Sequence, residues 1–549
     1  MSAGAPAVEP AVDDLLPDLL RRRAAHDAGR EFFRNVDGAA VTYGEAYGRA
    51  CSVANGLLTS GVARGECVVI MADNAPDSIC TWLGISLAGA VEVAINTGYR
   101  GRSLEHVMQN SQAKIAFVEE QLLPRLVEVG AALTHLTTVV VYRSAGSGDL
   151  PSVPGWTVVD FDDLLGPDTD PGVQVGPHDI ASVVYTSGTT GPAKGVMMPH
   201  GQTRLFSRLG VEGAGLHADD AFYCFIPLFH VAGKFIGIMG SMMTGGRVVL
   251  DTRFSVEAFL PRVREHGCTV ALLHGPLVEM VYQLPESPDD ADNPMTRIMA
   301  SPFPAHLALD FQRRFGIRGI ETWGMTEVTI PIWQPLDEPL RIGSCGRLRE
   351  EHFELRIVDP DTDAEMPAGR TGEMVLRPRR PFTMMQGYLR MPEVTIETWR
   401  NLWFHTGDLG YIAEDGYVYF VDRVKERIRR RAENISSFEV EAAGLTHPGV
   451  AECAAVGVPS EFEGDDDVLL CVVPEAGAVP GEADLIRHLA AELPHFMVPR
   501  YLRYLDALPR TPTGKPQKVQ LRNEGITPTT WDRKAAGISL RTVLQEADQ

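Results

Sequence analysis

Before residue 341, compact apolar runs alternate with stretches of helical period. In TYGEAYGRACSVANGLLTS, small and apolar residues recur along one face, which predicts a helix over Tyr43–Ser60. ECVVIMA (Glu66–Ala72) then reads as a buried strand, APDSICTWLGISLAGA as the helix crossing back, and VEVAIN (Val91–Asn96) as the next strand. The same alternation returns at KIAFVEE, TTVVVY, RVVLD, TVALLHG and GIETWG. Apolar strands linked by helices need a sheet covered on both faces, so the expected class is α/β.

The pattern changes near residue 341. GSCGRLREEHFELRIVD, GEMVLRP and GYVYFVDR predict short strands parted by Gly- and Asp-rich turns, a β-rich subdomain over 341–421. Beyond it, SSFEVEAAGLTHPGVAECAAVGVP, VLLCVVP and ADLIRHLAAELP mix strand and helix patterns, as in a compact α+β module. The expected domains are therefore 1–421 and 422–549, with the boundary at Val421–Lys425. No internal repeat or low-complexity tract interrupts them.

A chain of 549 residues exceeds one ordinary core, in agreement with that division. Its formal net charge of −22 argues against nucleic acid or an anionic membrane surface as the main partner. No stretch reaches the roughly 20 apolar residues of a membrane span. The acidic, Ala/Pro-rich start MSAGAPAVEPAVDDLLPDLL lacks the pattern of a secretion signal. The eight cysteines are scattered among apolar runs, as reduced cytosolic thiols would be, and a cytoplasmic location is expected.

In so acidic a chain an anionic ligand has to be attracted locally, and YTSGTTGPAKG (Tyr185–Gly195) offers the means. Its glycines allow backbone N–H groups to turn inward as an anion cradle. Thr186, Ser187, Thr189 and Thr190 add hydroxyl donors, and Lys194 adds a positive charge. The spacing is not that of a P-loop, because Lys194 is followed by Gly195 and not by Ser or Thr. Downstream, ETWGMTE (Glu321–Glu327) places an aromatic, a threonine and a carboxylate in one turn. WFHTGDLGYIAEDGYVYFVDR carries Asp408 and, at the boundary, Asp422–Arg423; LPRTPTGKPQK sets Lys515 in a Pro/Thr loop.

In that order these motifs resemble the adenylate-forming superfamily of acyl-CoA synthetases, peptide-synthetase adenylation domains and luciferases, over essentially the whole chain. GAVEVAINTGYRG, RRAENISSFEVE and TPTTWDRKAAG look most like the crotonobetaine/carnitine type of acid–CoA ligase. The resemblance implies an ATP-dependent ligase that activates a small polar or aromatic acid as acyl-AMP, releases pyrophosphate and transfers the acyl group to CoA. It implies ATP, Mg²⁺ and CoA as cofactor or co-substrates. Thr186–Thr190, Gly188 included, and Lys194 would contact the phosphates, Thr326 would meet the α-phosphate, and Glu327 with Thr186 would hold Mg²⁺. Ser301–Phe303, Pro302 among them, and Glu321, Thr322 and Trp323 would frame adenine, with Trp323 as the stacking face. Asp408 and Arg423 would hold the ribose. Lys515 would bridge the carboxylate and the α-phosphate, cancelling repulsion between two anions. Lys425 would be the hinge of a mobile C-terminal domain. Arg431, Ala432, Glu433 and Asn434 would form the CoA loop, and His230, Lys234 and Gly324 the acid pocket.

Some readings stay open at the level of sequence. Where the family commonly has Gly-Gly-Glu-Asn, this chain has Arg431-Ala432-Glu433-Asn434, and Ala432 adds a methyl where a pantetheine arm would pass. The acceptor could thus be an amine or a carrier-protein thiol, or the enzyme could adenylate nitrite to diazotise an arylamine. A degenerate nucleotide-binding member acting as an interaction protein is the non-enzymatic alternative. Lys234 either lays its stem on the surface with its head in water or pairs with a second anionic group of the substrate. His266, Cys268 and His274 read as structural, since no second Cys/His pair stands at ligand spacing. The run RVKERIRRR is either a solvated hinge loop or an attractor for the CoA phosphates. A homodimer is compatible with all of these.

Overall fold

The computed structural model describes residues 14–144, 148–186, 193–423, 428–430, 433–435, 437–460, 466–493, 497–510 and 516–539. The chain forms two compact units: one runs to Leu355 and adds Leu376–Phe404 and Gly416–Val418, the other takes Arg356–Val375, His405–Asp415 and the chain from Tyr419 on. Part of the segment expected as a β-rich subdomain thus clusters with the C-terminal module. Hydrogen bonds internal to the second unit, such as Thr406 Oγ1 to Met374 O (2.7 Å), knit those segments together.

In the first unit, one sheet runs in the order Gly387–Tyr388, Lys194–Pro199, Ile180–Thr186, Val91–Ala94, Cys67–Met71, Ile115–Glu119, Thr138–Tyr142, Thr157–Asp160. The strands from Ile180–Thr186 onward are parallel, and the first two are antiparallel additions. Parallel neighbours need crossovers, and the helix Pro76–Leu87 supplies one between Cys67–Met71 and Val91–Ala94. Every residue of it from Ser78 to Leu87 is buried, in keeping with a sequence that carries no charge over that span. The neighbouring helix Tyr43–Thr59 is started by a capping box between Thr42 and Glu45. Gly84 lets the two helices touch, since a Cβ there would stand 2.7 Å from Val53.

The second sheet of this unit is ordered Gly346–Leu348, Thr329–Trp333, Arg318–Met325, Arg297–Ser301, Val270–His274, Ala221–Cys224, Arg247–Leu250, Glu31–Asn35, Ala40–Thr42. Its six central strands are parallel, so their carboxyl ends open on one edge, where such sheets bind ligands. Asn74 ties the two sheets: its Nδ2 donates to Ile226 O (3.0 Å) and Asp251 O (2.9 Å), and its Oδ1 accepts from Leu228 N (2.9 Å).

The second unit continues with the hairpin Ile428–Arg430/Glu433–Ile435, the helix Ser437–Leu445, and a sheet ordered Val450–Pro459, Asp466–Pro474, Tyr501–Tyr504, Trp531–Asp532. Ile435, Val440, Val472, Leu489 and Leu502 share its core. Among the described residues no helix is long and apolar enough to cross a membrane. All eight cysteines are free thiols and all but Cys67 are buried.

Asn74 is 1% exposed, so truncating it strands three backbone partners. Asn74→Ala is expected to lower unfolding stability by about 2–4 kcal/mol, read from the denaturant midpoint.

Candidate active site

The strand Ile180–Thr186 runs antiparallel to Lys194–Pro199, with Thr186 opposite Lys194. Ser187, Gly188, Thr189 and Thr190, expected as phosphate ligands, lie outside the described residues. Gly387–Tyr388 pairs with the far side of Lys194–Pro199, Tyr388 opposite Val196. Side chains two apart share a face, so Lys194 lies diagonal to Tyr388, and its Nζ stands 4.6 Å from the centre of that ring. The Tyr388 hydroxyl donates to Glu327 Oε1 at 3.0 Å. Burial first, and the Glu327 carboxylate next, push this phenol well above its usual range, so it keeps its proton and remains the donor. Among the described residues Lys194 forms no ion pair, and its charge stays available.

The turn that carries Thr326 and Glu327 is held by its own backbone. Gln202, fully buried in the helix His200–Ala214, donates from Nε2 to Thr326 O (2.8 Å) and Glu327 O (3.1 Å), and Met385 N donates to Glu327 O (2.9 Å). Thr326 itself is half-buried. A Cβ at Gly324, expected in the acid pocket, would lie 2.3 Å from Thr329 O, so this glycine allows the close return of the hairpin.

The expected adenine-binding residues gather at the carboxyl ends of the central strands. Ser301 and Pro302 are exposed there, and Thr322 Oγ1 donates to Ala300 O (3.4 Å). Trp323, expected as the stacking face, is buried at 5% exposure. Glu321 is 7% exposed, and its carboxyl makes no hydrogen bond among the described residues. Burial alone pushes it up to about 8, so it is a neutral acid at neutral pH.

His230 is half-buried in a turn closed by its N–H to Pro227 O (2.9 Å). Lys234 departs from both readings offered for it. It is 1% exposed, with no head in water, and its ammonium is bonded to the buried carboxylate of Glu92. A lysine in an apolar core needs such a partner, and the pairing cancels the charge that a second substrate anion would have used.

In the second unit, Arg423 Nε lies 3.1 Å from Asp408 Oδ1, which brings the two expected ribose ligands together. Asp408 is held at 2% exposure within the strand Phe404–Ile412, where its N–H donates to Thr406 Oγ1 (3.0 Å) and Gly407 N donates to Glu373 Oε1 (2.9 Å). Asp422 accepts from Arg423 N (2.7 Å) and from Ser437 N. Lys425, Arg431, Ala432 and Lys515 lie outside the described residues, and Glu433 and Asn434 are described only as backbone of the strand Glu433–Ile435.

For a metal, Glu327 and Thr186 offer the oxygen donors that magnesium takes; one Glu327 oxygen is engaged by Tyr388 and the other bears no hydrogen bond among the described residues. Burial pushes the Cys268 thiol up to about 12, which opposes a thiolate ligand. Sequence reasoning missed Tyr388, Gln202 and Glu92. Glu92 left one signal, a lone carboxylate between valines in an apolar strand.

Comparison with known proteins identifies the family of the chain. The sequence profile of the family described as "AMP-binding enzyme" matches residues 20–389, and that of "AMP-binding enzyme C-terminal domain" matches residues 439–515. The chain is 32% identical to a sulfoacetate–CoA ligase of Cupriavidus necator, over 94% of this chain and 99% of that one. It is 29% identical to a crotonobetaine/carnitine–CoA ligase of Salmonella agona, over 85% and 90% of the two chains. Among solved structures, the anthranilate CoA ligase AuaEII in complex with anthranoyl-AMP superposes with a TM-score of 0.83 at 25% identity, covering 93% of this chain and 97% of that one.

The raised Glu321 carboxyl makes a pH prediction. Its ordinary value is 4.5, so the folded state holds a proton that the unfolded state has lost between about pH 4.5 and 8. Stability contributed by this proton is complete below that window and is lost as pH rises through it. Glu321→Gln should therefore gain on the wild type across the window, by at most roughly 1.4 kcal/mol per pH unit, and level off above it. Denaturant titrations at a series of pH values check this.

Proposed function

Because the chain belongs to the AMP-binding enzyme family, we propose that it is an ATP-dependent acid–CoA ligase acting on a small polar or aromatic carboxylic acid. The observation that carries this reading is the arrangement of Lys194, Tyr388 and Glu327, a cation with no ion pair among the described residues and a buried carboxylate held apart by one tyrosine. That arrangement suits a polyphosphate and its counter-ion, and the relatives named as CoA ligases support the acceptor.

In the proposed reaction a carboxylate oxygen of the acid attacks the α-phosphorus of ATP. The bond from that phosphorus to the bridging oxygen breaks, and pyrophosphate leaves. The thiol of CoA then adds to the acyl carbonyl, giving up its proton, and AMP departs. Lys194 is positioned to take phosphate charge, and the rigid Thr326–Glu327 turn to orient the α-phosphate by its hydroxyl. Neutral Glu321 can both donate and accept a hydrogen bond, the pattern an adenine edge presents. Asp408 and Arg423 are the proposed ribose ligands, and Lys515 the proposed bridging cation. Glu327 and Thr186 would hold Mg²⁺, which when bound neutralises phosphate charge. ATP and CoA as substrates imply work in the cytoplasm.

The reading is tested by supplying a panel of acids with ATP, with and without CoA, and identifying thioesters by mass. An acid that yields both pyrophosphate and its thioester is expected; ATP left intact with every acid would refute the proposal. Lys515→Ala should bind ATP normally yet form adenylate at least about 100-fold more slowly. Tyr388→Phe, which frees Lys194 and Glu327 to collapse together, should raise the KM for magnesium-ATP roughly tenfold with a nearly unchanged Tm.

A further inference from the structure

The helix Ala232–Met239 begins two residues after His230 and has π-type hydrogen bonding, wider than an α-helix. Its sequence AGKFIGIM is apolar except for Lys234. Glu92 Oε1 accepts from Lys234 Nζ, and Glu92 Oε2 accepts from Ser182 Oγ. Glu92 and Ser182 are direct neighbours in the parallel strands Val91–Ala94 and Ile180–Thr186. Lys234 Nζ also lies 5.5 Å from the Trp82 ring and 5.9 Å from the Phe235 ring. A single buried carboxylate therefore joins the strand that leads to the phosphate loop with the helix that follows His230.

The two sides of this junction are anchored unequally. Ile180–Thr186 is laddered to strands on both of its edges, so it keeps its place without Ser182. The helix has no ladder, and Lys234 is its one charged side chain. It lies flush on its neighbours: a Cβ at Gly233 would meet Ile226 O at 2.7 Å, and one at Gly237 would meet the Phe222 ring at 3.0 Å. Contact through bare glycine faces, largely apolar, resists separation but resists sliding less. Burial lowers the proton affinity of Lys234 while Glu92 opposes that shift. Buried ion pairs are often replaceable by apolar residues at little cost in stability, so the use of one here fits a role in fixing position.

We propose that Glu92 and Lys234 are a positioning pair that fixes the helix Ala232–Met239, and with it Phe229–His230, beside the bound acid, setting acid affinity without touching the acid. This rests on the acid–CoA ligase reading. The same geometry makes the pair electrically neutral toward the pocket, so it offers no counter-ion to a second acidic group on the substrate.

The deciding protein is the double variant Glu92→Gln/Lys234→Met, which removes both charges while Gln still accepts from Ser182. Acid-dependent exchange of labelled pyrophosphate into ATP gives KM for the acid and for ATP separately, and Tm reports folding. The expected result is a Tm near that of the wild type, a roughly tenfold higher acid KM, and an ATP KM changed less than about twofold. Lys234→Met alone should show a markedly lower Tm, because Glu92 is left buried and unpaired. A double variant with the wild-type acid KM would make the pair merely structural and overturn the proposal. An equal rise in both KM values would overturn it too, by placing the effect on the strand Ile180–Thr186. Should the double variant not fold, Ser182→Ala loosens Glu92 while keeping the ion pair; a roughly twofold rise in acid KM supports the proposal, and no change overturns it. A wild-type protein that exchanges no pyrophosphate with any acid would remove the ligase reading itself, an outcome distinct from a variant that keeps its acid KM.

Discussion

Two anions have to meet in the proposed reaction, and the protein must offer them positive charge that its own carboxylates have not already consumed. In a chain of net charge −22 that constraint is severe. Tyr388 meets it at one place: its ring takes the Lys194 ammonium at 4.6 Å and its hydroxyl takes Glu327 at 3.0 Å. A cation over an aromatic face is attracted yet still able to bind an anion, whereas a direct lysine–glutamate pair would be closed. Lys234 illustrates the closed case, because its partner Glu92 leaves nothing to share.

The position of Tyr388 follows from strand register. Gly387–Tyr388 adds to the edge of Lys194–Pro199 with Tyr388 opposite Val196, and the two-residue period of a strand then delivers Lys194 to the ring. Glu327 is brought to the hydroxyl by a turn whose Thr326 and Glu327 carbonyls are engaged, by Gln202 and by Met385 N. Backbone hydrogen bonds thus fix the points from which both side chains start. The backbone holds this geometry through its own hydrogen bonds, which is what electrostatic preorganisation requires.

Much of this was legible in the chain. Apolar runs of strand length fixed the α/β class, and the helix expected over Tyr43–Ser60 is found at Tyr43–Thr59. Local motifs drew attention to Lys194, Thr326, Glu327, Asp408 and Arg423 as candidates, since loop chemistry is written in consecutive residues. Tyr388, Gln202 and Asn74 were illegible, because each acts through partners far away in sequence and sits among ordinary neighbours. Lys234 was visible as an oddity, but its meaning depended on Glu92, 142 residues earlier. A lone lysine in one apolar element and a lone glutamate in another could have been matched as a pair, since neither survives burial alone. Trp323 is a different case: the motif marks the aromatic, but how far the fold buries it, to 5% exposure, depends on distant strands.

The central claim is that a carboxylate oxygen of the acid becomes bonded to the α-phosphorus of ATP. It is tested most directly by running the complete reaction with an acid whose carboxylate carries heavy oxygen, then weighing the products. Label appearing in AMP, with none in pyrophosphate, is the predicted result. Label absent from AMP, or ATP cleaved to ADP and phosphate, would contradict the account.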